Sequence, residues 1–119
     1  MSARIRDFYK HIEYDFDGRY IKPFAGLYLY EFDGYFVKKW GGPILYRIEN
    51  DGLVRDYMQK ILYSFDGKTF RNFEKQILLQ VDGKYVRNFY MKILYEIEGN
   101  LNRKEMMMIL TILAKDQGM

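Results

Sequence analysis

The chain of 119 residues has no cysteine, one histidine and one tryptophan. Without cysteine there is no disulfide framework and no thiolate chemistry. His11 is the lone histidine, so no His/Cys set exists to hold zinc. Ser2 and Ser64 are the only candidate hydroxyl nucleophiles of a Ser-His-Asp arrangement, and neither stands in a context that suggests one. No P-loop, Gly-x-Gly-x-x-Gly fingerprint or EF-hand loop occurs. The expectation is a non-enzymatic chain with no catalytic residue, no metal and no cofactor.

Long apolar runs are missing too. The longest, Met106 to Ala114, is broken at Thr111, and a membrane span needs roughly 20 residues. "MSARIRDFYKHIEYDFDG" at the N-terminus lacks the apolar core of a secretory signal. These features predict no membrane span and a cytoplasmic protein. The net charge of +3 and pI near 9.0 permit an acidic partner without demanding one.

Aromatic residues, by contrast, are abundant. They make up 18% of the chain, with twelve Tyr and nine Phe, and such side chains suit a half-buried pleated surface. The length fits one domain over 1–119. Tyr14, Tyr30, Tyr46, Tyr63, Leu79 and Tyr95 recur every sixteen residues, with a single interval of seventeen. Each is followed by an acidic-glycine pair, at Asp17-Gly18, Asp33-Gly34, Asp51-Gly52, Asp66-Gly67, Asp82-Gly83 and Glu98-Gly99. Self-similarity of this kind implies a repeat architecture. Asp-Gly between alternating apolar runs signals a β-hairpin with a two-residue type I′ turn. That register sets Tyr63 opposite Phe70, Tyr14 opposite Ile21, Tyr30 opposite Val37, Leu79 opposite Val86 and Glu13 opposite Lys22. A lone hairpin is marginal in water. The predicted fold is therefore all-β: a stacked or ring-like array of about six antiparallel hairpin repeats over 1–100, followed by a short apolar helix over 102–115. Gly26, Gly41 and Gly42 sit in the early links between hairpins. The later links lack glycine, so the links are not expected to be all alike.

The chain ends allow two readings. "IRDFY" has the pattern of a second strand without its first, and "MMILTIL" keeps the register of "MKILYEI". The two would pair as a split seventh hairpin and close a ring. Alternatively "NRKE", Asn102 to Glu105, has the spacing of a capping box, and strong helix formers follow it. We adopt the helix. Its apolar residues cover nearly the whole circumference, which predicts burial. Met107, Ile109, Leu110 and Leu113 are then expected either to cap the stack or to enter an oligomer interface.

Two further ladders run through the repeats. One is basic, with Arg6, Lys22, Lys38, Arg55, Arg71, Arg87 and Arg103. The other is aromatic and lies two residues on, with Phe8, Phe24, Trp40, Tyr57, Phe73 and Phe89. Residues two apart share a strand face. The ladders either stack cation on ring for structural reasons, or form a track for single-stranded nucleic acid or cell-wall glycan. The predicted role is a structural or protein-interaction module that self-associates or binds a protein partner. The alternative is ligand binding along Arg6, Lys22, Lys38, Trp40, Arg55, Tyr57, Arg71, Phe73, Arg87 and Phe89.

The unit "ILYxFDGKxVRNF" resembles short-hairpin repeat proteins of bacteria, in particular the four-fold β-flower domain. That resemblance runs from Ile5 to Gly99. It implies tyrosine-rich hairpins radiating about an axis, and it brings no assigned activity and no catalytic residues. Six turn pairs instead of four imply a different symmetry. The unit is also similar to cell-wall-binding hairpin repeats such as choline-binding modules. Those use tryptophan cages, and Trp40 is the only tryptophan here.

Overall fold

Apolar and polar residues alternate along the strands, and the alternation gives each strand one dry face. The computed structural model describes residues 2–23 and 25–119. The described strands are β1 (Ala3–Asp7), β2 (Ile12–Phe16), β3 (Tyr20–Lys22), β4 (Tyr30–Phe32), β5 (Phe36–Lys39), β6 (Ile44–Ile48), β7 (Leu53–Asp56), β8 (Ile61–Phe65), β9 (Thr69–Asn72), β10 (Ile77–Asp82), β11 (Tyr85–Asn88) and β12 (Ile93–Gly99). One helix follows, α1 (Arg103–Asp116). Every strand pairs antiparallel with its neighbour in sequence, and β1 also pairs with β12, so the sheet closes into a barrel. Ile5, Phe16, Ile21, Val37, Phe70 and Val86 point inward and are buried.

Closure chooses between the expected arrangements. The array is not a stack, and the ring-like alternative takes the form of one continuous cylinder without a free edge. The seam is β12 against β1, with Ile5 opposite Ile97 and Ala3 opposite Gly99. "MMILTIL" takes no part in it, because that segment is helical. Gly99 serves the seam directly. Its φ is +113°, and a Cβ there would fall on the Ser2 carbonyl oxygen. On the outer wall Arg6 pairs with Glu98, and Arg4 Nε lies 2.8 Å from Asp15 Oδ1, so ionic contacts flank β1 on both sides.

The turns also differ from the type I′ expectation. Phe65 lies opposite Phe70 and Tyr63 opposite Asn72. Likewise Phe16 meets Ile21, Phe32 meets Val37, Val81 meets Val86, and Lys22 faces Asp15. The register is displaced by two residues because aspartate precedes the turn and glycine is its first central residue, as in a type II′ turn. Asp66 Oδ1 accepts from the Lys68 and Thr69 amides at 2.9 and 2.7 Å, and Gly67 has φ +101°. A carboxylate that caps two turn amides favours this geometry. Those amides, helped by Arg71, hold the Asp66 carboxyl below its usual value. A shift of two keeps every side chain on its predicted face.

The helix lies inside the barrel. Met107, Met108, Ile109 and Leu110 sweep about 300° of helix surface, yet none is more than 1% exposed. They belong to the same core as the inward strand residues. Groups at the helix ends reach different sides of the wall: Arg103 donates to the Phe65 carbonyl on β8, Tyr14 on β2 donates to Asp116, and Gln117 donates to the Tyr95 hydroxyl on β12. A helix capping the stack or lying in an interface would leave one side dry only after assembly. This one is dry on all sides within the single chain. The physical reason is size. Eight strands enclose just enough room for side chains, so a twelve-stranded wall needs a helix to fill it. The expected capping box forms, with Asn102 Oδ1 accepting from Glu105 N at 2.8 Å and Glu105 Oε1 accepting from Asn102 N at 2.9 Å.

Candidate functional site: the loop end of the barrel

An up-and-down barrel sends alternate connections to opposite ends. The Asp-Gly turns occupy one end. The links β1–β2, β3–β4, β5–β6, β7–β8, β9–β10 and β11–β12 occupy the other.

Four of these links share one construction. Asp7, Asp56, Asn72 and Asn88 each begin a loop and accept, through Oδ1, from the amides two and four residues on, all at 2.9–3.0 Å. The residue three places on has positive φ: Lys10 at 71°, Gln59 at 71°, Lys75 at 67° and Met91 at 66°. This is a three-residue loop closed by a left-handed residue, which adds a bulge where it meets the strand. The matching register shifts fall at Ile5/Arg6, Val54/Arg55, Ile77/Leu79 and Val86/Arg87. The glycine-free links are thus built alike. The Gly41-Gly42 link keeps the same backbone bonds and a register shift at Val37/Lys38, but its left-handed residue is Gly41, the second of the loop, and Lys39 offers no carboxylate or amide cap.

This construction decides where the expected ladders go. Phe8, Tyr57, Phe73 and Phe89 follow the capping residue, so they stand on loop tips beyond the strands and do not share a strand face with Arg6, Arg55, Arg71 and Arg87. All four rings are exposed, as is half of Trp40. Trp40 packs edge-on against Tyr20 at 5.3 Å and lies 5.4 Å from Tyr28. Of the ladder rings, Phe73 carries a cation at 5.7 Å, and that cation is Lys60 rather than Arg71. Phe24 lies outside the described residues.

The basic ladder runs along the outer wall, where carboxylates meet most of it. Arg6 pairs with Glu98, Arg55 with Glu49 and with Asp51 at 3.0 Å, Arg71 with Asp66 at 3.4 Å and Arg87 with Asp82 at 3.2 Å. Lys38 stands opposite Glu31 in register, and Lys22 lies 6.0 Å from the Tyr28 ring. Arg103 is on the helix and bonds the barrel wall. Met107, Ile109, Leu110 and Leu113 are all inside the barrel. The ten expected face residues therefore divide into a wall set that is largely ion-paired and a tip set that is open to water.

Sequence reasoning missed the second residue of each tip. Tyr9, Met58 and Tyr90 are 79%, 70% and 84% exposed, the fourth such position being Glu74, and Leu27 on the Gly26 link is 87% exposed. The signal was available as Asp/Asn followed by an aromatic and a large residue, repeated at Asp7, Asp56 and Asn88. Phe8 stacks on Tyr9 at 5.4 Å, and Phe89 meets Tyr90 edge-on at the same distance. A groove of about 530 Å³ separates neighbouring tips, with Ile77, Leu78, Phe89 and Tyr90 on its sides and Lys75 at its lip.

His11 also belongs to this end. Its Nδ1 is 3.2 Å from Asp7 Oδ2, and its amide donates to Asp7 Oδ1. Desolvation pushes the Asp7 carboxyl up, but the His11 amide and ring outweigh it and the group ends below its usual value. Ser64 stands on the wall of β8, opposite Leu53 and Arg71, and not near this pair. Behind the tips a girdle of tyrosines surrounds the helix C-terminus. Burial raises the pKa of Tyr14, Tyr30, Tyr46, Tyr63 and Tyr95, and Tyr63 donates to the Met119 carbonyl at 3.0 Å.

No helix among the described residues is long and apolar enough to cross a membrane. Comparison of the chain with family models, with curated proteins and with solved structures returns no match.

Proposed function

We propose that this chain is a non-enzymatic docking module whose contact surface is the loop end of the barrel. In this reading the wall is six copies of a sixteen-residue hairpin unit, the sixth divided between β12 and β1. The unit exists to repeat one loop tip around a rim.

One observation carries the reading. Among the described residues, every exposed large apolar side chain lies at the loop end, either on a link, beside one, or at Met119. Scattered single exposures are ordinary, but a concentration on one side marks a place where something else supplies the dry contact. The barrel core explains none of these side chains, because its inward set is complete without them. Backbone strain supports the same view. Lys10, Gln59, Lys75 and Met91 hold left-handed conformations, each of which costs a non-glycine residue about 1 kcal/mol, and capped loops hold them there to present the tips. A track along the wall is less well supported, since the wall arginines already face carboxylates.

Site-directed photo-crosslinking in the cells that make the protein tests this. A benzophenone side chain at Tyr90 or Tyr57 should give adducts. The same group at Gln80 on the wall, or at Lys68 in a turn, should give none. Adducts from the wall or turn positions in place of the tips would overturn the reading.

A further inference from the structure

We propose that the surface this end meets is an anionic lipid bilayer, with the tips entering the headgroup layer while the body of the barrel stays in water. This rests on the docking reading and names its partner.

The geometry favours a plane. Six links leave the same rim of a closed cylinder, so their tips point one way around a ring. A flat partner touches all of them at once. A peptide needs a continuous groove or a free strand edge, and the barrel has no free edge. The grooves at the rim lie between tips and are interrupted by them.

The chemistry agrees. Trp40, Tyr90 and Tyr9 are the residue types that settle at a membrane–water boundary, and Leu27, Phe89 and Met58 are those that enter the acyl border. Lysines accompany them at Lys10, Lys22, Lys39, Lys60, Lys75 and Lys92. Against six lysines the links carry three carboxylates, Asp7, Asp56 and Glu74, and Glu13 and Asp116 stand near Asp7 at the same end. Two of the three are turned into their own loops as amide caps. Lys10 is tied to Glu96 at 2.8 Å. Along the rim from Tyr57 to Tyr90, Lys60, Lys75 and Lys92 stand as cations beside the apolar tips, which is complementary to the phosphates of anionic headgroups. The turn end differs, with no large apolar side chain exposed there among the described residues.

The wall sets the depth. A barrel that spans a bilayer is apolar outside. Here Arg6, Arg55, Arg71 and Arg87 point outward and the apolar residues point in. Contact therefore stops at the rim.

The test uses the intact chain and vesicles of phosphatidylcholine with or without phosphatidylserine. Trp40, the only tryptophan, stands on a tip and is half exposed, so it reports entry directly. Expected results are co-sedimentation with the mixed vesicles, weaker binding to phosphatidylcholine alone, and a blue shift of Trp40 emission on binding. Lys75→Ala and Lys92→Ala should each weaken binding to the mixed vesicles about fivefold, since a cation near such a surface contributes about that factor. High salt should remove the preference for phosphatidylserine. Phe89→Ser with Tyr90→Ser should lose most binding at an unchanged circular dichroism spectrum. The pair Tyr57→Ser with Met58→Ser should do the same on another tip. The lipid assignment is overturned by vesicles that leave Trp40 emission unchanged, or by binding indifferent to the tip pairs. If vesicles fail while Tyr90 crosslinks to protein, or the chain dimerises through its tips, the partner is protein and the docking reading stands. If Tyr90 crosslinks to nothing as well, both fail.

Discussion

Replacing Met107, Met108, Ile109 and Leu110 by alanine, one at a time, should destabilise the protein by similar amounts at all four positions. Successive helical residues are about 100° apart, so these four sample every side of α1. All are 0–1% exposed. Removing a buried Leu, Ile or Met side chain typically costs about 2–5 kcal/mol, made up of lost transfer energy and the cavity left behind. A barrel wall hydrogen-bonded all round cannot collapse onto the gap, which argues for the upper half of that range. The total stability of a domain is about 5–15 kcal/mol, so each variant should lose a large fraction of it and none should be neutral. Urea unfolding followed by circular dichroism measures this directly, with the slope of the transition checked for constancy. A helix lodged on the outside of the barrel would behave differently: at least one of the four would face water and cost under about 0.5 kcal/mol. A neutral alanine at any of them, especially one that shifts oligomeric state instead, would refute placement inside the barrel.

Three other outcomes follow from the same packing. Gly99→Ala should cost about 3 kcal/mol or more, because φ +113° and the Ser2 carbonyl both oppose a Cβ, whereas Gly67→Ala, with open space around it, should cost about 1–2 kcal/mol; equal melting of the two would mean that β1 is not seated on β12. Asn102→Ala should cost about 1 kcal/mol in the same urea assay by removing half of the capping box, and an unchanged midpoint would speak against it. Alkali should unfold the protein progressively. Burial raises Tyr14, Tyr30, Tyr46, Tyr63 and Tyr95 above the ordinary 10.0, so the folded state holds these protons more tightly than the unfolded chain. Their contribution is full below pH 10 and is lost as pH rises beyond it, and Tyr14→Phe should flatten the fall in urea midpoint; a midpoint constant up to about pH 11 would show freely ionising tyrosines.

What the sequence determined is local. Alternation around Tyr14, Tyr30, Tyr46 and Tyr63 marks the first strand of each hairpin, and Asp-Gly marks its turn, because both depend on residues a few places apart. Asn102 with Glu105 marks the helix start for the same reason. Even there the fine register was not legible, since Asp66 acts as an amide cap before the turn and not as a turn centre, a choice between two geometries that one residue pair permits equally. The position of the exposed apolar side chains was half visible: Phe8, Phe73 and Phe89 stood out by period, but a strand reading placed them on the wall. Only the bulged loops, closed by Lys10, Lys75 and Met91 in left-handed conformations, lift them onto tips.

Tertiary structure alone decided the rest. Pairing of Ile5 with Ile97 joins residues at opposite ends of the chain, and no local pattern specifies a partner that distant. Once twelve strands close, the width of the cylinder creates a volume that side chains from the wall cannot fill, and α1 is the one apolar segment left over. The helix is inside because the barrel is wide. That width follows from the number of strands that meet around the ring, a property of the assembled sheet and of no single stretch of sequence.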